Sequence, residues 1–158
     1  MRTKKANIRL ISKDVKYEST LVQRLINRSM KDGKKSVAQK QVYGALEIIA
    51  EQTKRKALEV LEEAIERIKP RMEVRSRRGG GASYQVPMPV RDLRSRSLSI
   101  RWIVNEANKR ANKQYHSYAE KLAAEILDAL HEQGGAIEKR NTSHRMAEAN
   151  KAFSHFRW

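Results

Sequence analysis

Apolar side chains recur along most of the chain at intervals of three and four residues, the spacing that lines them up on one face of an α-helix. Leu21, Val22, Leu25, Ile26 and Met30 predict a helix over about 20–31, ended by Asp32-Gly33. Val42, Leu46, Ile49 and Ala50 predict a second over about 36–52. Leu58, Leu61, Ile65 and Ile68 make a third. It must stop before Pro70, because the residue preceding a proline avoids helical geometry. Ile100, Ile103, Val104, Ala107 and Ala111 form a fourth stripe, beginning shortly after Val90. Ala119, Leu122, Ala123, Ile126, Leu127 and Leu130 form a fifth, with Gly134-Gly135 expected as its C-terminal stop. A sixth helix over about 141–153 would bury Met146, Ala149 and Phe153. No internal repeat is visible.

Between the third and fourth stripes the period changes from helical to two. Met72, Val74 and Ser76 alternate with Glu73, Arg75 and Arg77. After Gly79-Gly80-Gly81-Ala82-Ser83, residues Tyr84, Val86, Met88 and Val90 alternate with Gln85, Pro87 and Pro89. Alternation on both sides of a glycine turn predicts a β-hairpin over about 72–90. Residues two apart in a strand aim their N–H groups the same way, so Pro87 and Pro89 silence one edge together. Val86 and Met88 stay free to pair with the first strand. A lone hairpin is marginal in water, so its base should lean on the helices while its tip projects. The expected fold is mainly α: a six-helix bundle with one projecting two-stranded hairpin and a basic, disordered N-terminal arm. Residues 1–16 form the arm and 17–158 a single helical domain.

Composition sharpens this picture. The chain has 158 residues, with 34 Lys and Arg against 18 Asp and Glu, a formal net charge of +16. Such a surface repels itself and needs a polyanion, of which nucleic acid is the usual one. The excess is segregated. Residues 1–16, 17–35 and 71–101 carry +5, +3 and +6, whereas 36–70 is neutral and 115–133 carries −3. Basic faces on an ordinarily charged body are implied. The absence of cysteine excludes disulfides, thiolate metal sites and cysteine nucleophiles. No stretch approaches a membrane span and no apolar leader follows the start, so a soluble, unexported protein is expected.

The hairpin and its flanks are the main functional candidate. Arg75, Arg77 and Arg78 approach the tip, and Arg91, Arg94, Arg96 and Arg101 follow the second strand. Arginine forks suit phosphates and base edges. Tyr84 either stacks on a base or packs within the fold. Lys34 and Lys35 sit at the start of a helix, where backbone N–H groups and lysines together can meet phosphate; a solvated turn is the plainer reading. Trp102 lies among the fourth stripe and either packs in the core, the plainer reading, or offers a base-stacking platform. At the C-terminus, Phe153, His155, Phe156, Arg157 and Trp158 either dock on another surface or fold back.

Catalytic readings fail. Asp32-Gly33-Lys34-Lys35-Ser36 lacks the upstream glycine of a phosphate-binding loop, where Arg28 stands instead, and no strand precedes it. Glu59, Glu62, Glu63 and Glu66 read as a solvated helix face near Arg55, Arg67 and Lys69. His116, His131, His144 and His155 lack metal-ligand spacing. No enzyme, metal or cofactor is expected.

Four separated segments carry a family resemblance: DGKKS at 32–36, PRMEVRSRRGGGASYQVPMPVR at 70–91, RWIVNEANKR at 101–110 and HRMAEANKAFSHFRW at 144–158. In this order they resemble the bacterial-type small-ribosomal-subunit protein seven family over nearly the whole chain. The resemblance implies a helical bundle with a β-ribbon that binds the 3′ major domain of small-subunit ribosomal RNA directly and nucleates assembly of the head. Arg2, Lys4, Lys5, Arg9, Lys34, Lys35, Arg91, Arg94, Arg96, Arg101, Lys109 and Arg110 would hold ribosomal RNA. Arg75, Arg77, Arg78, Gly79, Gly80, Gly81 and Tyr84 would lie near exit-site transfer RNA and the messenger. Phe156 and Trp158 would meet a protein neighbour. The implied protein partners are small-subunit proteins nine and eleven, with no membrane and no homo-oligomer, in a cytoplasmic small subunit. Two alternatives read from the residues are a ribosome assembly factor or RNA chaperone, and a basic helical DNA-binding regulator.

Overall fold

The computed structural model describes residues 10–79 and 81–156. Expectations for Arg2, Lys4, Lys5, Arg9, Gly80 and Trp158, and for the side chain of Phe156, lie outside the described residues. Among the described residues, six α-helices enclose one core: α1 (Thr20–Ser29), α2 (Lys35–Thr53), α3 (Ala57–Ile68), α4 (Asp92–Lys109), α5 (Tyr118–Leu130) and α6 (Gly135–Ala149). The strands β1 (Met72–Gly79) and β2 (Ala82–Pro89) intervene between α3 and α4, and a 3₁₀ turn (Lys151–Phe156) follows α6. The mainly helical bundle with a single hairpin is therefore as expected.

Helix α5 is the hub, packing on α2, α3, α4 and α6. Its Leu122, Ile126 and Ala129 are wholly buried with Leu25, Leu46, Ile49, Leu61, Ile68 and Ile103. Trp102 is partly buried against the same cluster. Ser19 and Ser117 cap α1 and α5, accepting the Leu21 and Glu120 N–H groups at 3.2 Å each.

Two terminal features differ from expectation. Helix α5 stops at Leu130, followed by a turn in which Glu132 takes φ 56°. The glycine pair belongs to the next element: Gly134, at φ 89°, is the N-cap of α6, and Gly135 is its first residue. Helix α6 thus begins six residues earlier than its apolar pattern suggests. Met146 is 55% exposed and Ala149 is exposed, while Ala136, Ile137 and Ala147 face the body. Ala136 and Ala147 are about three helical turns apart and share a face. The positions between them on that face, Arg140, Ser143 and His144, are polar, so hydropathy alone selects the wrong stripe.

The hairpin follows its predicted register. Gly79 pairs with Ala82, Val74 with Pro87, Arg75 with Val86, and Met72 with Pro89. The Val90 N–H donates to the Arg71 carbonyl at 3.0 Å, and this sets the alternation of the ladder. The prolines consequently occupy the pairs that exchange no hydrogen bond, and Val86 and Met88 supply the donors. Helix α6 packs on β1 and the 3₁₀ turn on β2.

Candidate nucleic-acid interface

The ribbon is rooted on charge. Glu73 is 7% exposed on β1. One of its oxygens accepts the Arg75 Nε–H at 2.6 Å, and the other accepts the Nε–H of Arg94, in the first turn of α4, also at 2.6 Å. Burial alone would raise the Glu73 pKa, but the Arg94 and Arg75 guanidiniums overcome it and hold the carboxyl below its ordinary value. Ser95, buried one turn inside α4, donates to the Pro70 carbonyl at 3.0 Å. On the other side, the Ser143 hydroxyl donates to the Met72 carbonyl at 3.0 Å, and the Arg71 N–H donates to His144 Nε2 at 2.9 Å. The root is thereby tied to α4 and α6. Towards the tip, Arg77 and Arg78 form no salt bridge among the described residues, and Gly81 adopts φ 86°, outside the comfort of a side chain. Tyr84 packs on Phe153 of the 3₁₀ turn, with ring centroids 5.7 Å apart. Thus the C-terminal segment folds back at least as far as Phe153.

A second basic feature lies between α1 and α4. A cleft of about 290 Å³ is lined by Ile11, Arg24, Asn27, Arg28, Ser97, Ile100 and Arg101. No carboxylate lines it. Arg24 Nε is buried and finds no hydrogen-bond partner among the described residues, a costly state for a guanidinium donor that an anion would relieve. Arg24 and Arg28 were not singled out from the sequence. Their four-residue spacing on one helix was the available signal, since it places both on the same face. Lys34 caps the start of α2 and borders another cleft, of about 220 Å³, with Lys31, Asn108 and Tyr118; Lys35 opens the helix beside it.

The remaining predicted cations divide. Arg91 is the N-cap of α4 and is exposed; it and Arg101 form no salt bridge among the described residues. Arg96 and Lys109 are exposed but paired, with Asp92 at 3.3 Å and Glu106 at 2.7 Å. Arg110 is placed differently. Its side chain is 16% exposed and binds Glu125 at 2.7 Å together with Asp128. Burial opposes its charge, but the hydrogen bonds to Asp128 and Glu125 outweigh it and raise its pKa further. Glu125, 1% exposed, also accepts the Ala136 N–H at 2.8 Å, so this pair splices α4, α5 and the start of α6.

The described part of the N-terminal segment is anchored. Asp14, 2% exposed, accepts the Lys16 and Tyr17 N–H groups at 3.1 Å and the Tyr43 hydroxyl at 2.7 Å. Tyr17 packs on Tyr43 with centroids 5.8 Å apart, and Lys16 reaches Glu47. Ile11 lines the α1–α4 cleft.

Among the described residues no group of three metal-ligating side chains occurs, and no helix is long and apolar enough to cross a membrane. A helical body with an arginine ribbon and one arginine-lined cleft, free of carboxylates among the described residues, has the features of an RNA-binding structural protein. Comparison with known proteins makes the class specific. Residues 1–151 match the family model described as ribosomal protein S7p/S5e. A relative from Dictyoglomus thermophilum, named small ribosomal subunit protein uS7, is 57% identical over 150 residues, 95% of this chain and 94% of its own. Proteins of the same name from Sulfurihydrogenibium sp. and Thermosipho melanesiensis are 53% and 52% identical; the first spans 95% of this chain and 94% of its own, the second the whole of both. The chain belongs to the ribosomal protein S7p/S5e family, a family of small-subunit ribosomal proteins and not of enzymes.

Proposed function

We propose that this protein is a primary binder of small-subunit ribosomal RNA, acting on the 3′ major domain and nucleating assembly of the head. The observation that carries the reading is the α1–α4 cleft, where Arg24, Arg28 and Arg101 converge with no carboxylate and the Arg24 Nε has no partner among the described residues. Phosphate oxygens satisfy such donors. Arg91, Lys34 and Lys35 extend the contact along α4 and the start of α2, and Arg2, Lys4, Lys5 and Arg9 add further cations to it. Arg94, Arg96 and Lys109 add positive potential, although each is shared with a carboxylate. Arg110 serves the interior instead.

The ribbon takes a different neighbour. Its root is rigid and its tip carries unpaired Arg77 and Arg78, an arrangement suited to lying beside exit-site transfer RNA and the messenger. Arg75 and Tyr84 stiffen it through Glu73 and Phe153. The protein partners of this reading are small-subunit proteins nine and eleven, in the cytoplasmic subunit, with Phe156 and Trp158 as its protein-contact residues. Selectivity comes from RNA shape, because A-form RNA hides its major groove from side chains.

The test is footprinting of small-subunit ribosomal RNA by the purified protein across a salt series with duplex DNA as competitor. A compact footprint in the 3′ major domain that resists DNA is expected. Its affinity should fall by about 10³–10⁵ between roughly 50 and 200 mM salt if about 6–10 phosphates are contacted. A diffuse footprint removed by DNA would overturn the reading.

A further inference from the structure

A cleft between α2 and α5 carries the opposite charge to the clefts described above. These helices meet where the Gln41 side chain accepts the Ala119 N–H at 3.0 Å, and where a Cβ on Gly44 would lie 3.5 Å from that of Ala119. Between the C-terminal end of α2 and the length of α5 lies the cleft, of about 530 Å³. Ile48, Ala123, Ala124 and Leu127 contribute apolar surface, and Tyr115, Glu120 and Asp128 stand among its walls. No lysine or arginine lines it.

Three sources of negative potential converge there. Glu120 is held ionised: the Ser117 hydroxyl and the His116 N–H bond to it and lower its pKa. Asp128 and the buried Glu125 share one guanidinium, that of Arg110, which leaves the trio with a net negative charge. Helix α2 also ends at the cleft, at Gln52-Thr53, and its C-terminus contributes roughly half a negative charge; α5 runs along it from Glu120 to Asp128, so its two dipole ends offset. Tyr115 is held in place from behind, its hydroxyl accepting from Arg110 at 3.2 Å. RNA would bring phosphates against these carboxylates and the end of α2, which is repulsive. A polypeptide bearing both cations and apolar side chains satisfies the cleft completely.

We propose that the α2–α5 cleft is a docking site for a lysine- or arginine-bearing segment of a neighbouring small-subunit protein. The apolar floor takes its aliphatic side chains, and Glu120, Asp128 and the end of α2 take its cations. This rests on the assignment of the chain to the small subunit, and it gives the molecule two faces: a basic one for RNA and this one for protein.

The experiment uses the full chain with Gln52, exposed on the rim, replaced by p-benzoylphenylalanine. It is assembled into small subunits from purified ribosomal RNA and purified subunit proteins, then irradiated. The expected product is a crosslink to a protein, at a peptide whose Lys and Arg outnumber its acids. Adding Glu120→Gln, which keeps an acceptor for the His116 N–H and removes only the charge, should lower the yield by about threefold, the effect of one exposed charge pair. A crosslink to RNA, a crosslink to an acidic peptide, no crosslink, or equal yields from both chains would overturn the proposal. The same particles are footprinted. An intact footprint with the wrong crosslink strikes the cleft alone, whereas a missing footprint strikes the RNA-binding function and the proposal with it.

Discussion

His144 links one protonation state to the root of the ribbon. Its Nε2 accepts the Arg71 N–H, which only an unprotonated nitrogen can do. Burial, with the nearby Arg140 and Arg71 charges, lowers its pKa from the ordinary 6.5. The folded state therefore binds fewer protons than the unfolded chain between the lowered value and 6.5. The stability that His144 contributes is complete above the unfolded value and is lost as pH falls through the folded one. His144→Ala should accordingly cost up to about 1 kcal/mol at pH 8, and less at pH 5. Denaturant unfolding of both proteins at the two pH values checks this; an equal or larger cost at pH 5 would contradict it. Glu73 shows the same principle: a buried carboxylate held below its ordinary pKa by Arg94, from another element, and by Arg75 on its own strand.

At the scale of elements, the start of α6 is the most constrained position. Gly134 has φ 89°, and a Cβ there would lie 3.1 Å from both Asp128 Cβ and Glu125 Oε1. Gly33, in the turn before α2, has φ 73° but nothing within 4 Å of such a Cβ. Alanine at either site meets the left-handed penalty of about 1–2 kcal/mol. Gly134→Ala should cost more than Gly33→Ala, because it also crowds the Glu125 carboxylate that accepts the Ala136 N–H. Urea titrations should show a lower midpoint for both, with unchanged slopes and the larger shift at Gly134. Helix α6 also explains why its hydropathy misleads. Its inner face presents Arg140 to the Arg67 carbonyl and Ser143 to the Met72 carbonyl, so hydrogen bonds replace apolar burial there.

For the whole molecule, arginines of equal charge have unequal work. Arg24 lines the α1–α4 cleft, its Nε without a hydrogen-bond partner among the described residues, while Arg110 closes the junction of α4, α5 and α6. Arg24→Gln should leave the fold intact, weaken RNA binding and reduce the slope of log affinity against log salt by about 1. Arg110→Gln should do the reverse. It leaves Glu125 buried without its cation, destabilises the protein by roughly 3–5 kcal/mol, and keeps the salt slope under conditions where it is folded. Thermal unfolding together with RNA titrations at several salt concentrations separates the two. A changed slope for Arg110→Gln with Arg24→Gln unaffected would invert the assignment of interior and interface.

Helical stripes, the proline-edged hairpin and the segregation of charge are properties of residues two to four positions apart or of simple counts, so the sequence by itself determined them. The family segments at 32–36, 70–91, 101–110 and 144–158 likewise lie in runs readable along the chain. The destination of each charge was not readable. Glu73 meets Arg94 across 21 residues, and Arg110 meets Glu125 across 15, while Arg24 and Arg101 share a cleft with no short-range signal of it. Only tertiary structure decides such encounters, because they depend on how helices and ribbon pack. That packing drew Arg110 into the junction of α4, α5 and α6, brought Arg24 and Arg28 into the α1–α4 cleft, and set Glu120 and Asp128 along one cleft between α2 and α5.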